Sequence, residues 1–183
     1  MKLCEVAEIL FSFPEKSIAE MHNTANWLTS VCLKAENEIS GSKSANWLPE
    51  SAPTTHEGDI IIKRIQPLYV NYIDNNYVGY KVGQNLALIR AKSEIEPKYL
   101  AYVLEKNIDK IYEDITGTTI PAIRKEGFAK LEIGALPARE VQCRIGEVWW
   151  LLKEKRKKQQ SLMRQEANYI KKILAQKANE WRR

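Results

Sequence analysis

The feature that most constrains the fold is a long stretch near the carboxyl end that lacks the usual helix breakers. Between Ala138 and Trp181 there is no proline, and Gly146 is the only glycine. We therefore predict one helix of about 40 residues, which at 1.5 Å per residue is about 60 Å long. Gly146 costs about 1 kcal/mol in a helix interior. Either a close backbone approach or chance accounts for its presence.

Apolar side chains recur along one side of this predicted helix. A domain of this size is too small to cover so long a stripe, so the pattern predicts a partner helix from a second copy or another protein. Lys155, Gln159 and Glu166 interrupt the stripe, which predicts an interrupted pairing and not a regular zipper. The predicted dimerisation residues are Val141, Ile145, Val148, Trp149, Leu152, Leu162, Tyr169, Ile170 and Ile173.

Charge is divided unevenly along the 183 residues. The formal net charge is +5, but residues 1–136 carry −3 and residues 137–183 carry +8. A basic segment indicates a nucleic acid or another anionic partner. A solvated helix face rich in lysine is the alternative, and charge alone does not separate the two.

The sequence lacks the residue patterns typical of disulfide frameworks, zinc sites and catalytic sites. The three cysteines are an odd number without a C-x-x-C pair, and His22 and His56 have no ligand at zinc spacing. No glycine-rich phosphate loop or catalytic set is present, so we expect a protein that is not an enzyme and holds no metal. The sequence has neither a signal-peptide pattern at its start nor an apolar run of about 20 residues, and we expect a cytoplasmic location.

The first three quarters of the sequence predict an α+β domain. Strands are predicted at Trp27–Leu33, at 59–65, and at 69–73 with a turn at 74–76 and a returning strand at 77–81. A central strand is predicted at 85–90, and Pro97 opens a helix with apolar residues at helical spacing. The expected architecture is a curved, mostly antiparallel sheet with flanking helices, followed by one long coiled-coil helix.

The order of these elements resembles a known family, the specificity subunits of type I restriction-modification systems. Residues 2–14 are similar to the entry strand and loop of that family, and residues 58–64 carry its Gly-Asp-Ile strand. Residues 97–104 are similar to its P-x-Y-L-x-Y-x-L helix, and 117–123 to its G-x-T-x-P-x-I turn. Residues 136–142 keep part of a P-P-L-x-E-Q pattern, with the glutamine displaced.

The resemblance implies a target-recognition domain at 1–136 and a spacer and dimerisation helix at 137–183. Full-length members carry two of each, so a half-size chain is expected to pair with itself as an antiparallel homodimer. Such a dimer would read a bipartite, palindromic sequence in double-stranded DNA. The chain itself would bind no cofactor. A separate adenine methyltransferase subunit would bind S-adenosylmethionine, and a restriction subunit would join through the complex.

DNA recognition needs cations for phosphates and paired donors and acceptors for base edges. The block from Lys153 to Lys158 would lie near DNA or form a solvated part of the coiled coil. Asn71, Asn85, Tyr77 and Tyr80 are further candidates for base contacts or core packing. The predicted DNA-binding residues are Lys63, Arg64, Tyr69, Tyr72, Asn75, Asn76, Lys81, Gln84, Thr118, Thr119, Arg124 and Lys125.

The sequence also permits a second interpretation. The chain would then be a non-catalytic interaction or regulatory protein, with a small α/β head on a coiled-coil stalk and no DNA sequence preference. A degenerate half gene whose product only partly assembles is a third reading. The negative charge of residues 1–136 weighs against strong nonspecific DNA binding, because phosphate contacts usually dominate that affinity.

Overall fold

The computed structural model describes residues 1–12, 25–40, 43–45, 52–83, 85–113 and 122–180. Four α-helices and seven strands are found in these ranges. The strands are β1 (Ala7–Phe11), β2 (Ala25–Leu28), β3 (Lys43–Ala45), β4 (Ile60–Lys63), β5 (Val70–Tyr72), β6 (Lys81–Val82) and β7 (Leu86–Ala91). The helices are α1 (Leu3–Val6), α2 (Pro97–Glu113), α3 (Lys125–Lys130) and α4 (Arg139–Glu180). The α+β class predicted from the sequence is confirmed.

The centre of the head, residues 1–136, is a four-stranded antiparallel sheet in the order β1-β7-β4-β5. Its strand β4 is covered on both faces, and Ile60, Ile61 and Ile62 are fully buried. Successive side chains of a strand point to opposite faces. Ile60 and Ile62 accordingly join the core under α2 and α3, whereas Ile61 joins a second core with Leu88. This double burial explains the unbroken isoleucine run.

A second sheet of three strands has the order β3-β2-β6, and β2 pairs with β6 in parallel. The predicted hairpin, in which 77–81 returns along 69–73, is therefore wrong. The side-chain amide of Asn37 occupies the place beside β5 where a neighbouring strand would pair. It donates a hydrogen bond to the Tyr72 carbonyl and accepts one from the Tyr72 N–H. Residues 79–82 instead bond to Pro53 and Thr55. The predicted strand at Trp27–Leu33 is also too long, because β2 ends at Leu28.

Helix α2 covers one face of the four-stranded sheet, and four of the five apolar residues that the helical spacing predicts are buried; the fifth, Ile111, has no described side chain. Leu100, Val103, Leu104 and Ile108 are all buried. The carboxylate of Glu96 accepts a hydrogen bond from the Tyr99 N–H at 2.6 Å, which satisfies one of the unpaired donors of the first turn.

Helix α4 has 42 residues, and the prediction of one long helix is confirmed. The expectation that its stripe needs a partner along the whole length is wrong for Ile145 and Trp149. Both side chains pack into the main core of the head, because α4 runs alongside α2 over its first turns. The division of the chain into 1–136 and 137–183 remains a prediction.

Candidate nucleic-acid interface

Cationic and polar side chains collect at one end of the four-stranded sheet. Lys63 ends β4 and lies opposite Leu86, which begins β7, so Arg64 and Asn85 follow at the same end. Asn85 is exposed and has φ +62°, a conformation that asparagine tolerates better than most residues. We call this end of the sheet the basic end; its residues are Lys63, Arg64, Tyr69, Asn85, Arg124 and Lys125.

Arg64 makes contacts that hold two segments of the basic end together. Its Nε donates to the Ile123 carbonyl at 2.7 Å, and the Ile123 N–H donates to the Arg64 carbonyl at 2.9 Å. The guanidinium stacks on Phe11, 4.1 Å from the ring centroid. Burial lowers the pKa of Arg64, but a guanidinium remains charged at neutral pH. Arg64 thus brings the segment that contains Arg124 and Lys125 to this end.

The other cations of the basic end are open to solvent. Arg124 and Lys125 are exposed, and Lys63 is half-buried. The Nζ of Lys63 lies 5.5 Å from the ring centroid of Tyr69, and the Lys63 N–H donates to the Tyr69 carbonyl. These three cations can reach a phosphate or a base edge without breaking a hydrogen bond of the fold.

The remaining predicted contacts lie elsewhere. Tyr72 is buried at the opposite end of the sheet, paired with Ile60. Asn75 and Asn76 are exposed there in a 3₁₀ turn, and the Asp74 carboxylate accepts from the Asn76 N–H. Lys81 donates to the Ala52 carbonyl at 3.0 Å. Gln84, Thr118 and Thr119 lie outside the described residues.

Three further candidates serve the fold. Asn71 is fully buried and donates to the Lys34 carbonyl. Tyr77 donates its hydroxyl hydrogen to the Ile39 carbonyl at 2.6 Å, and its ring packs against that of Tyr80.

The Gly-Asp-Ile strand has a structural role that sequence reasoning missed. Asp59 is buried and accepts two hydrogen bonds from Arg90, at 2.8 and 2.9 Å, and one from the His56 N–H at 2.7 Å. Gly58 adopts φ +86° beside Pro97, a conformation that glycine adopts at little cost. This motif therefore joins β4, β7 and the start of α2.

The start of α4 is fixed to the start of α2 by a buried glutamine and by Gly146. The Gln142 side chain accepts from the Glu96 N–H and donates to the Pro137 carbonyl, both at 2.9 Å. A Cβ on Gly146 would lie 2.8 Å from the Tyr99 nitrogen. Close backbone approach, one of the two explanations offered for this glycine, is therefore the correct one.

Part of the Lys153–Lys158 block is directed at the head. Lys153 is buried, forms ion pairs with Glu105 and Glu36, and lies over the Trp149 ring. Arg156 is 3.6 Å from the same Glu36 carboxylate. Lys155 and Lys158 are exposed. Among the described residues, no group of three or more His, Cys, Asp and Glu side chains forms a metal site.

With this geometry established, comparison with known proteins identifies the family. Residues 2–150 match the model of the type I restriction modification DNA specificity domain. The chain belongs to this family. Specificity subunits of type I restriction-modification systems recognise DNA within larger complexes, and the fold and the order of motifs agree with that membership. No curated protein matches the sequence.

Solved structures of type I specificity subunits share the fold. The HsdS subunit from Thermoanaerobacter tengcongensis aligns with a TM-score of 0.58 and 19% identity over 84% of this chain and 36% of that one. The S subunit from M. genitalium gives 0.55 and 17% over 81% and 37%.

A third structure, described as the basis of complex assembly and conformational transition of the type I R-M system, gives 0.60 and 21% over 84% and 37%. The chain thus spans little more than a third of each of these three proteins. Within the described part of the chain, no helix has the length and hydropathy needed to cross a bilayer.

Proposed function

We propose that this chain selects the DNA sequence on which a type I restriction-modification complex acts, and that its basic end contacts the DNA. The observation that carries the proposal is the position of Lys63, Arg124 and Lys125 on one rigid end of a specificity domain. Cations hold phosphates and fix the register of a protein on DNA, while neighbouring polar side chains read bases.

The rigidity of the basic end supports this assignment. Arg64 binds the 123–125 segment to the end of β4, so the cations of two separate segments keep a fixed spacing. A preorganised surface binds with less loss of conformational entropy than free loops do. Asn85 offers an exposed amide in the same place, and an amide can form a paired contact with adenine.

The reaction itself belongs to partners in this proposal. The chain binds no cofactor and catalyses no step. An adenine methyltransferase subunit with S-adenosylmethionine modifies the DNA, and a restriction subunit acts through the same complex. This chain's contribution is the choice of site, and it recruits both activities to that site.

We further propose that two copies pair through α4 in antiparallel fashion and read a bipartite palindrome. Leu162, Tyr169, Ile170 and Ile173 are all at least 38% exposed. At 100° per residue, this stripe lies roughly 140° around α4 from the face that Gln142, Trp149 and Lys153 turn to the head. The stripe therefore remains available for a second copy while the helix stays bound to its own head. Val141, Val148 and Leu152 continue it along the first turns and are also exposed.

A selection from random DNA duplexes tests the proposal. The full chain, alone and with a type I methyltransferase subunit, is incubated with a duplex library, and the bound fraction is sequenced. The expected result is one enriched bipartite palindrome. Methylation mapping of DNA treated with the assembled complex and S-adenosylmethionine should report the same site.

Substitutions at the basic end sharpen this test. Lys63→Ala and Arg124→Ala should weaken DNA binding. Each lost phosphate contact should reduce the slope of log K against the logarithm of the salt concentration by about 1. Lys92→Ala is the matched control, because Lys92 follows β7 at the opposite end of the sheet. If the enriched site is asymmetric, homodimeric reading is excluded. If no sequence is enriched even with the methyltransferase, the proposed DNA selection is wrong, and the result favours an interaction protein without DNA sequence preference.

A further inference from the structure

A tight turn of the head carries two carboxylates to the side of α4. We call residues Ala35–Glu38 the acidic turn. Leu33 and Ile39 pair across its base, and the Lys34 N–H donates to the Glu38 carbonyl. Glu36 and Asn37 both have positive φ, +55° and +57°. This left-handed backbone is unusual for a glutamate, and such conformations persist where surrounding contacts impose them.

Two buried asparagines hold the acidic turn against β5. Asn37 exchanges two hydrogen bonds with the main chain of Tyr72, at 3.1 and 2.5 Å. Asn71 donates to the Lys34 carbonyl at 3.1 Å. Because both asparagines are buried, the turn is a rigid part of the head.

The carboxylates of the acidic turn meet cations of α4 at successive points. Glu36 lies 3.4 Å from Lys153 and 3.6 Å from Arg156. Glu38 accepts two hydrogen bonds from Arg164, at 2.9 and 2.8 Å. The hydrogen bonds from Arg164 lower the pKa of Glu38, and Lys34 adds to this. A paired arginine–carboxylate contact restricts orientation as well as distance.

These contacts determine where α4 points. Gln142 fixes the helix at one end, and Arg164 lies 22 residues further on, about 33 Å along the axis. From residue 161 to residue 178 every residue of α4 is exposed. Of the contacts between the acidic turn and α4 described above, the Glu38–Arg164 pair lies furthest along the helix. A change in the direction of α4 at Arg164 would therefore displace the following turns, and the displacement would increase towards the end of the helix.

We propose that Glu36 and Glu38 are positioning residues that set the direction of α4 relative to the head. They thereby set the distance and angle between the two recognition heads of the assembly. The DNA consequence rests on the proposed function, whereas the direction of the helix does not.

A distance measurement on the free protein tests the direction of α4. Cys4 and Cys143, which are exposed, are replaced by serine, while buried Cys32 remains. Spin labels are placed at Glu57→Cys on the head and Ala175→Cys on α4, and labelled protein is diluted with unlabelled protein so that only distances within one chain are measured. Pulsed electron resonance should give one narrow distance distribution.

Charge changes at the outer contact decide the proposal. Glu38→Arg and Arg164→Glu should each shift and broaden the distribution, and the double variant should restore it, because the swapped pair regains the interaction. Glu166→Gln, an exposed carboxylate of α4, is the matched control and should leave the distribution unchanged. Circular dichroism establishes that each variant is folded. An unchanged distribution in both single variants overturns the proposal, as does a double variant that fails to recover.

A DNA experiment measures the consequence separately. Duplexes with the selected half-sites at different spacings are bound by the natural chain and by Glu38→Arg. The natural chain should prefer one spacing, and the variant should lose that preference while its affinity for a single half-site stays unchanged. If the natural chain selects no half-sites, the proposed function fails, but the label distances still decide whether the acidic turn directs the helix. Equal spacing preference in both proteins overturns the role of the turn in spacing.

Discussion

Single residues at the junction of α2 and α4 show how tightly the helix and the head are fitted. Gln142 bonds both to the start of α2 and to Pro137, and Gly146 faces the backbone of Tyr99. Each position has room for only a narrow choice of side chain. At Gly146, helix propensity and close packing therefore have opposite effects on the stability of a substituted protein.

Gly146→Ala should destabilise the protein although alanine is the better helix former. The exchange gains about 1 kcal/mol of helix propensity. The new Cβ would lie 2.5 Å from the Glu96 carboxylate and 2.8 Å from the Tyr99 nitrogen, and overpacking costs about 1–3 kcal/mol. Because the Tyr99 nitrogen belongs to the backbone and cannot easily move, the overpacking cost should lie in the upper part of that range. Urea unfolding should then report a net loss of about 1–2 kcal/mol.

Ser161→Ala is the matched control, since Ser161 is exposed on the same helix. It should leave stability unchanged or raise it slightly. A Gly146→Ala variant as stable as the control would contradict the close approach of the two helices.

The sequence identifies residue types at this scale but not their partners. Glycine inside a helix and aspartate before a strand are visible in the printed sequence. That Asp59 bonds to Arg90, 31 positions away, depends on the pairing of β4 with β7. Arg64 was predicted as a DNA contact from its position at a strand end, yet its Nε faces Ile123. Local patterns carry no information about such distant partners.

Between elements, α4 and β5 meet through a pair of aromatic rings. The ring centroids of Tyr72 and Trp150 are 5.2 Å apart. Burial raises the pKa of Tyr72 to about 12, and the negative charges of Glu96, Glu57, Glu147 and Asp74 add to the effect. The phenol is therefore held neutral in the folded state.

Alkaline pH should loosen this contact. A tyrosine in the unfolded chain ionises near pH 10, so the unfolded state loses its proton before folded Tyr72 does. The stability due to Tyr72 is complete below pH 10 and falls as pH rises towards 12, by about 2–3 kcal/mol in total. Urea unfolding between pH 9 and 12 measures this slope.

Tyr72→Phe should reduce the slope, whereas Tyr169→Phe, at an exposed position of α4, should not. The reduction is partial, because burial also raises the pKa of Tyr77 and Tyr99. An unchanged slope in Tyr72→Phe would contradict the burial of this phenol.

Periodicity predicts elements better than it predicts their pairing. The helix from Pro97 and the long helix follow directly from apolar spacing and from the absence of proline. The strand at 77–81 was assigned to the wrong neighbour, because the edge of β5 is taken by Asn37, a residue 35 positions earlier. A side chain that occupies the place of a strand leaves no periodic signal.

For the whole molecule, the arrangement of α4 predicts its assembly. The stripe formed by Leu162, Ile170 and Ile173 is exposed, and exposed apolar patches of this kind commonly mark interaction surfaces. The double variant Leu162→Glu/Ile173→Glu should therefore be monomeric in sedimentation experiments in which the natural chain is dimeric. Its head should stay folded, because neither side chain belongs to either core.

Asn168→Glu provides the matched control for this change. Asn168 is exposed, and at 100° per residue it lies about 140° around the helix from the centre of the stripe and about 80° from the head face. The control should remain dimeric. A natural chain that sediments as a monomer would contradict pairing through α4.

The two faces of α4 also restrict how the length of this protein can change. Each residue inserted between Arg164 and Tyr169 would rotate Tyr169, Ile170 and Ile173 by about 100° relative to the head and to Leu162, and would advance them by about 1.5 Å. In the proposed homodimer, one extra residue would therefore turn the second copy to another side of the DNA. Seven extra residues would leave a rotation of only about 20° in each copy and move each head about 10 Å further from the stripe. The two heads of the proposed homodimer would then separate by about 20 Å, the rise of about six base pairs. Under the proposed pairing, a lineage that lengthens this helix changes the gap in its target only in discrete steps.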